Sequence, residues 1–441
     1  MTSFIQKSFK YSNRLTSEVG KYIDARTIKL FTNLEKSHGS FLVDADNNKY
    51  LDVFNNIASL PLGYNHPNLI KALNTNETTT LLAQRAAMGV TPPMNIVDKI
   101  ELLMRNMAPK GMDYVHLGCG CGSGANENAF KAAFLYHAKT NDDTIATESE
   151  LHDTTMVNTT PGSPDWQVLS FSSGFHGRTL GCLSATRSKA EHKVHIPAFK
   201  WPVAPFPKLK YPLDRFVSEN QQAEESCLHK TKCIMQENNV VAMIVEPVQA
   251  EGGDNHASPH FFRSLRQMCL DNNITFIVDE VQTGVGSSGY MWAHESWDLE
   301  TPPDIVTFAK KMQIAGYFCT KKYMPSKPYQ IYNTWLGDPV RLIMANTIAH
   351  EIHYNGLLNR VTNVGKYLMD EMSNMSHLKN VRGIGTFIAF DCDNNIEFAD
   401  KMLNNGVLVG PCGTHSIRIR PNLLFSYPEV DLLLYALHKM K

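Results

Sequence analysis

Three stretches decide the fold: Val240-Val-Ala-Met-Ile-Val245, then Pro259-His-Phe-Phe-Arg-Ser-Leu-Arg-Gln-Met-Cys-Leu-Asp271, then Ile274-Thr-Phe-Ile-Val278. The first and third are short apolar runs rich in β-branched residues, the pattern of strands buried on both faces. The middle stretch reads as an amphipathic helix, its apolar residues recurring at helical spacing. Strand, helix, strand without a hairpin signal predicts a parallel pair joined by a crossover. Working outward, Gln167–Phe171 and Ile305–Phe308 read as further apolar strands, and residues 113–119 as a short one ahead of a helix from about Ala125 to Lys139. The expectation is an α/β fold with a mostly parallel sheet. Towards the N-terminus, Phe41–Ala45 and Lys49–Phe54 flank Asp46-Asn47-Asn48 and predict a hairpin, and a helix is expected from Pro67. Residues 200–230 are Pro-rich and irregular, then helical. The chain after about 340 is helix-rich, with strands expected at 385–390 and 416–419. The expected organisation is a segment 1–20 that is flexible or targeting, residues 21–70 joining a small domain, a large domain 71–339, and a C-terminal small domain 340–441. The changeover is set near 335–345.

Composition narrows the function classes. The 441 residues are 43% hydrophobic with a net charge of -1, which lacks the basic footprint of a nucleic-acid binder. No apolar run is long enough for a membrane span. Nine Cys scattered over this length suit a reducing compartment rather than a disulfide framework. The first residues carry Lys7, Lys10 and Arg14 and no acid before Glu18. That composition fits a transit peptide or a plain basic terminus; the expectation is the mitochondrial matrix, with the cytoplasm as alternative.

Three segments could carry chemistry. Leu117-Gly-Cys-Gly-Cys-Gly-Ser-Gly124 lies between a strand and a helix. It is either a turn or a cradle in which Gly122 and Ser123 offer amides to a phosphate at a helix N-terminus. It matches neither the P-loop nor the dinucleotide spacing. Ile277-Val-Asp-Glu-Val-Gln-Thr-Gly284 ends a strand in acids, where open α/β sheets bind ligands. Asp279 is there either a partner for a protonated ring nitrogen or an ordinary strand-end acid. Thr307-Phe-Ala-Lys-Lys-Met-Gln-Ile-Ala-Gly316 brings two Lys after a strand, either a solvated loop or a desolvated nucleophile. His350-Glu-Ile-His353 lacks the zincin spacing and reads as a solvated helix face.

Taken together, Phe175-His-Gly-Arg-Thr179, Glu246-Pro-Val-Gln-Ala-Glu-Gly-Gly253, Asp279-Glu-Val-Gln-Thr-Gly284 and the Lys310-Lys311 segment resemble, in order and spacing, the class III (fold-type I) pyridoxal-phosphate-dependent aminotransferases. Asn126-Glu-Asn-Ala-Phe-Lys131, Pro202-Val-Ala-Pro-Phe-Pro-Lys-Leu-Lys-Tyr-Pro212 and Tyr332-Asn-Thr-Trp-Leu-Gly-Asp338 sharpen the likeness to the eukaryotic branch acting on 4-aminobutyrate. The resemblance implies the fold-type I architecture: a large domain with a mostly parallel sheet, and a smaller α+β domain built from both ends of the chain. It implies pyridoxal phosphate as cofactor, a homodimer with shared active sites, and small-molecule substrates rather than nucleic acid or membrane.

The resemblance also assigns roles. Lys311, the second of the pair, is implied as the lysine that carries the cofactor and moves the proton, with Lys310 structural. Asp279 is to hold the pyridine nitrogen protonated, Phe175 to stack on the ring, Gln282 to meet its phenolic oxygen, and Gly122 and Ser123 to hold the phosphate. Thr334 is to reach the other subunit's phosphate. Arg178 is to fork onto the 4-aminobutyrate carboxylate, beside an apolar wall at Ile57. Glu251 is to neutralise Arg418, and to release it for the α-carboxylate of 2-oxoglutarate; Arg420 is taken as structural. The implied reaction yields succinate semialdehyde and glutamate. A β-alanine-preferring enzyme, a racemase or isomerase, and a silent homologue are the alternatives, and Lys311, Asp279, Arg178 and the Glu251–Arg418 pair speak against the last two. Three departures stand out. Cys121-Gly-Ser-Gly124 lacks the second Cys with which animal members bind an iron–sulfur cluster, so no cluster is expected, Cys121 being the one candidate ligand and Cys119 no assured substitute. Ala315 replaces a Gly, and the segment Asp391–Glu397 is trimmed.

Overall fold

The computed structural model describes residues 7, 9–84, 87–118, 120–140 and 146–440. Its centre is a seven-stranded sheet, in spatial order Tyr114–Leu117, Gly316–Cys319, Ile305–Phe308, Thr275–Asp279, Val240–Val245, Gln167–Phe171 and Val203–Ala204. The last five run parallel, as the crossover pattern predicts. All six residues of Val240–Val245 are buried, which is why that strand reads as a continuous apolar run. Gly316–Cys319 is a further strand that the sequence pattern does not announce, and it pairs antiparallel with both neighbours. A Cβ at Gly316 would stand 2.1 Å from the His116 carbonyl oxygen, so only glycine allows that pairing. The helix expected from Ala125 starts earlier, at Gly122, and runs to Thr140 across the sheet. The helix Pro259–Asp271 is as read, capped by the Ser258 hydroxyl accepting from the Phe261 amide.

The second unit is built from both ends of the chain. Lys379–Ile384, Phe387–Asp391, Ser416–Ile419 and Gly410–Cys412 form an antiparallel sheet. The hairpin Phe41–Val43 with Lys49–Asp52 turns at left-handed Asn47 and gains Val407–Leu408 as a parallel third strand. Leu51 and Val53 share one apolar core with Val364, Leu368, Ile417, Ile419 and Leu433. The changeover between cores does not fall at 335–345. The helix Pro339–Tyr354 lies against Ile96–Met107 and gives Leu342, Ala345, Ile348 and Ile352 to the core of the large sheet. The switch comes inside the helix Leu357–Ser373, where Val361 faces one core and Val364 the other.

The N-terminal segment is helical over Lys10–Val19, and the Tyr11 and Ser12 amides donate to the Asp46 carboxylate at 2.7 and 2.8 Å. Residues 1–6 and 8 lie outside the described part. Within His350-Glu-Ile-His353 only the two His face outward. Glu351 is buried and accepts from Asn68 and Asn355, so the solvated-face reading fails at that residue. No helix among the described residues is long and apolar enough to cross a membrane.

Candidate active site

The carboxyl ends of the parallel strands deliver the functional side chains to one place, as the topology of open α/β sheets dictates. Thr275–Asp279 ends on Asp279, Val240–Val245 is followed by Glu246, and Ile305–Phe308 by Lys310. The helix Gly122–Thr140 aims its N-terminus at the same point. Together with the second unit's Arg418 they enclose a cavity of about 370 Å³. It is lined by Ile57, Gly122, Ser123, Phe175, Arg178, Glu251, Asp279, Gln282 and Arg418, all read from the sequence as site residues. It is also lined by Asn126, His176, Glu246, Val281 and Lys310, which were given no role or a structural one.

Lys311 does not line this cavity. It is 2% exposed, and its amine donates to the Gln282 carbonyl beneath the cavity wall. The two lysines sit in a tight turn, and neighbouring side chains there point apart. Lys311 follows Met312 into the core, while Lys310, at a left-handed φ of 44°, enters the cavity. Burial, then the nearby Arg418 cation, lowers the Lys310 amine to about 8, against the opposing pull of Asp279 and Glu251. One signal could have separated them. Thr307 pairs with Asp279 across the sheet, and Lys310 follows Thr307 by three residues just as Gln282 follows Asp279.

Asp279 is 4% exposed and held on three sides. Its Oδ2 lies 2.9 Å from His176 Nδ1 and accepts from Asn126 at 2.8 Å, and its Oδ1 accepts from the Val281 amide at 3.0 Å. Glu246 accepts from the Phe175 amide at 2.8 Å and from Ala250 at 3.3 Å, which fixes the backbone that carries Phe175. Burial, then Asp279, pushes its carboxyl well up. Gly177 follows at a φ of 125°, and a Cβ there would strike Ser123 Oγ at 2.2 Å. That close approach seats the Arg178 amide 3.3 Å from Ser123 Oγ, at the head of the helix. The Arg178 guanidinium lies 5.0 Å from the Phe175 ring centroid and 3.1 Å from His192 Nε2.

Ile57 reaches the cavity on a left-handed turn, Asn55–Ala58, with φ between 49° and 59° at all four residues. That conformation costs about 1–2 kcal/mol per residue, and buried partners hold it. The Asp52 carboxylate accepts from the Phe54 and Asn55 amides, and Asn55 Nδ2 donates to the Leu60 carbonyl at 2.6 Å. Its outcome is that the Ile57 carbonyl accepts from Lys310 Nζ at 3.2 Å.

Two arginines face the cavity differently. Arg420, 1% exposed in its side chain, pairs with fully buried Asp254 at 2.5 Å and donates to Gln282 Oε1 at 3.3 Å. Arg418 lies 2.9 Å from Glu251. Thr334 is exposed and does not line this chain's cavity. Ala315 tucks its methyl between Ala125 and Ala309, so the extra carbon is accommodated. Cys121 is exposed, Cys119 lies outside the described residues, and no cluster of metal-ligating side chains exists among the described ones.

The residues fit pyridoxal phosphate. An amine of lowered pKa, a buried carboxylate and a helix N-terminus stand around one cavity, which suits an aldehyde, a ring nitrogen and a phosphate respectively.

The family model described as Aminotransferase class-III matches residues 22–440. The chain is 42% identical to the mitochondrial 4-aminobutyrate aminotransferase of Mus musculus, over 96% of this chain and 87% of that one. It is 44% identical to the 4-aminobutyrate aminotransferases of Emericella nidulans (97% and 88% covered) and Schizosaccharomyces pombe (96% and 92%). Among solved structures, the lysine aminotransferase of M. tuberculosis superposes with a TM-score of 0.85 at 27% identity, covering 97% of this chain and 98% of that one. Motif order, site geometry and these matches agree: the chain belongs to the class III aminotransferases.

Proposed function

We propose that this enzyme moves the amino group of 4-aminobutyrate to 2-oxoglutarate by a ping-pong route, giving succinate semialdehyde and glutamate. The carrying observation is one cavity lined by Lys310, by Arg178 and by the Glu251–Arg418 pair. A monocarboxylate donor and a dicarboxylate acceptor need two carboxylate sites, one of which can be masked. The relatives at 42–44% identity are 4-aminobutyrate aminotransferases and support the same donor.

Pyridoxal phosphate, when bound, supplies an electrophilic carbonyl and a ring that draws electrons from the substrate carbon. Lys310 Nζ would hold it, and as a base of lowered pKa would carry the proton taken from C4 of 4-aminobutyrate. Asp279, held by His176 and Asn126, keeps a proton on the ring nitrogen. Gly122 and Ser123 present amides and helix dipole to the phosphate. Phe175 would cover a face of its ring, and Gln282, held by Arg420, would face its phenolic oxygen. Arg178 grips the donor carboxylate beside Ile57. Thr334 serves the phosphate site of a second copy in a homodimer. Residence in the mitochondrial matrix is part of the same proposal; the mouse relative is described as mitochondrial and the two fungal ones are not so described.

The test is the visible spectrum of the cofactor-loaded protein. Addition of 4-aminobutyrate alone should bleach the long-wavelength band, and 2-oxoglutarate should restore it with glutamate formed. A protein that binds the cofactor but bleaches only with β-alanine refutes the donor assignment.

A further inference from the structure

Glu251 is gripped by two cations rather than one. Arg418 Nη1 lies 2.9 Å from its Oε2, and Lys189 Nζ lies 3.0 Å from its Oε1. The two contacts differ in kind. Lys189 makes a hydrogen bond of good geometry. Arg418 approaches without one: its Nε and Nη1 are buried and have no hydrogen-bond partner. Donors left open on a guanidinium whose side chain is 5% exposed are costly unless a ligand satisfies them. The guanidinium therefore has donors to offer an incoming acceptor, while Glu251 keeps a hydrogen bond to Lys189.

Backbone on both sides is fixed. Lys189 heads the short turn Ala190–His192, and Lys193 of that segment donates to the Leu183 and Thr186 carbonyls at 2.9 and 2.8 Å. The Glu251 carbonyl accepts from the Gly413 amide at 2.9 Å. Burial raises the Glu251 carboxyl, yet Arg418 and Lys189 outweigh burial and hold it below its ordinary value. A carboxylate that lost Arg418 and had no other cation would be a part-buried unpaired charge, the costly outcome of breaking an ion pair.

On the transaminase reading above, we propose that Lys189 is the positioning residue that keeps Glu251 paired while Arg418 turns to the α-carboxylate of the incoming keto acid. Lys189 thereby sets acceptor use in the second half-reaction without touching the acceptor. The same lysine leaves the donor half-reaction nearly alone, because Glu251 and Arg418 stay together there.

The test uses the cofactor-loaded enzyme in single-turnover half-reactions. Lys189→Gln should lower kcat/KM for 2-oxoglutarate, starting from protein loaded with pyridoxamine phosphate, at least about tenfold more than it lowers kcat/KM for 4-aminobutyrate. Lys189→Arg should restore most of the loss. In a Glu251→Gln background, where no charge needs a partner, Lys189→Gln should have no added effect on the 2-oxoglutarate step. Equal slowing of both half-reactions, a larger loss with 4-aminobutyrate, or the same loss in the Glu251→Gln background overturns the proposal. Failure of the unmutated enzyme to react with 4-aminobutyrate sinks the functional reading instead, and the 2-oxoglutarate arm still decides the role of Lys189.

Discussion

Replacing each lysine of the adjacent pair separates the two candidate cofactor carriers. Lys310→Ala removes the amine that faces Asp279 and the Glu251–Arg418 pair, and with it both the covalent anchor and the base. The base alone is worth about 10²–10⁴ in rate, and the nucleophile adds to it, so kcat should fall by at least about 10⁴, or roughly 5.4 kcal/mol of barrier. Lys311→Met keeps the volume of a side chain that is 2% exposed and removes only its bond to the Gln282 carbonyl. An orphaned buried carbonyl costs about 1–3 kcal/mol of stability, and activity should stay within about tenfold of the parent, since Gln282 is also held by Arg420. The assay is borohydride reduction of the cofactor-loaded protein, followed by fragment mass spectrometry of the peptide spanning the pair. The pyridoxyl mass should sit on Lys310, and Lys310→Ala should show none. A reducible adduct that survives Lys310→Ala and disappears in Lys311→Met would refute the geometry.

Other outcomes follow from the same contacts. Arg178→Lys keeps the charge but loses the planar fork, so KM for 4-aminobutyrate should rise about tenfold or more with a smaller change in kcat; an unchanged KM would place the donor carboxylate elsewhere. Because the Lys310 amine is lowered to about 8 and only its neutral form attacks, the rate at which cofactor-free protein captures pyridoxal phosphate should rise about tenfold per pH unit below 8 and level off above it. A rate flat from pH 6 to 9 in stopped-flow would contradict that. Asp254→Asn strips the carboxylate from Arg420, whose side chain is 1% exposed; about 3–5 kcal/mol of stability should be lost in chemical denaturation, and a loss under 1 kcal/mol would show that Arg420 finds another partner.

How much of this was legible beforehand depends on whether a feature is carried by side-chain pattern or by backbone turn. The parallel strands Val240–Val245 and Ile305–Phe308 are buried on every side, so composition alone marks them. The hairpin at Asn47 and the helix at Pro67 carry their own turn and start chemistry. Gly316–Cys319 is four residues long and begins on glycine, and its place between two other strands is decided by packing against His116 and Phe308, which no local pattern records. The helix Pro339–Tyr354 has no one-sided apolar stripe, so its sequence does not say which core it joins.

In the site the division is sharper. Acids at a strand end and glycines at a helix start are positions that topology fixes, and Asp279, Gly122 and Ser123 line the cavity together. Adjacent lysines differ by one residue, and which of them enters the cavity turns on a single φ of 44° at Lys310. The left-handed turn Asn55–Ala58 is of the same kind. Two Asn tolerate that conformation, but Ile57 and Ala58 do not favour it, so the sequence argues for such a turn only halfway. Asp52, Tyr64 and Leu60 complete the case from outside the turn: the Asp52 carboxylate accepts from the Phe54 and Asn55 amides at its start and from the Tyr64 hydroxyl, and the Leu60 carbonyl receives the Asn55 side chain. Strain of this sort persists only where the surroundings over-determine it. Here its product is a carbonyl set 3.2 Å from the amine of Lys310, so the two least readable pieces of backbone in the chain meet at the atom on which the proposed chemistry depends.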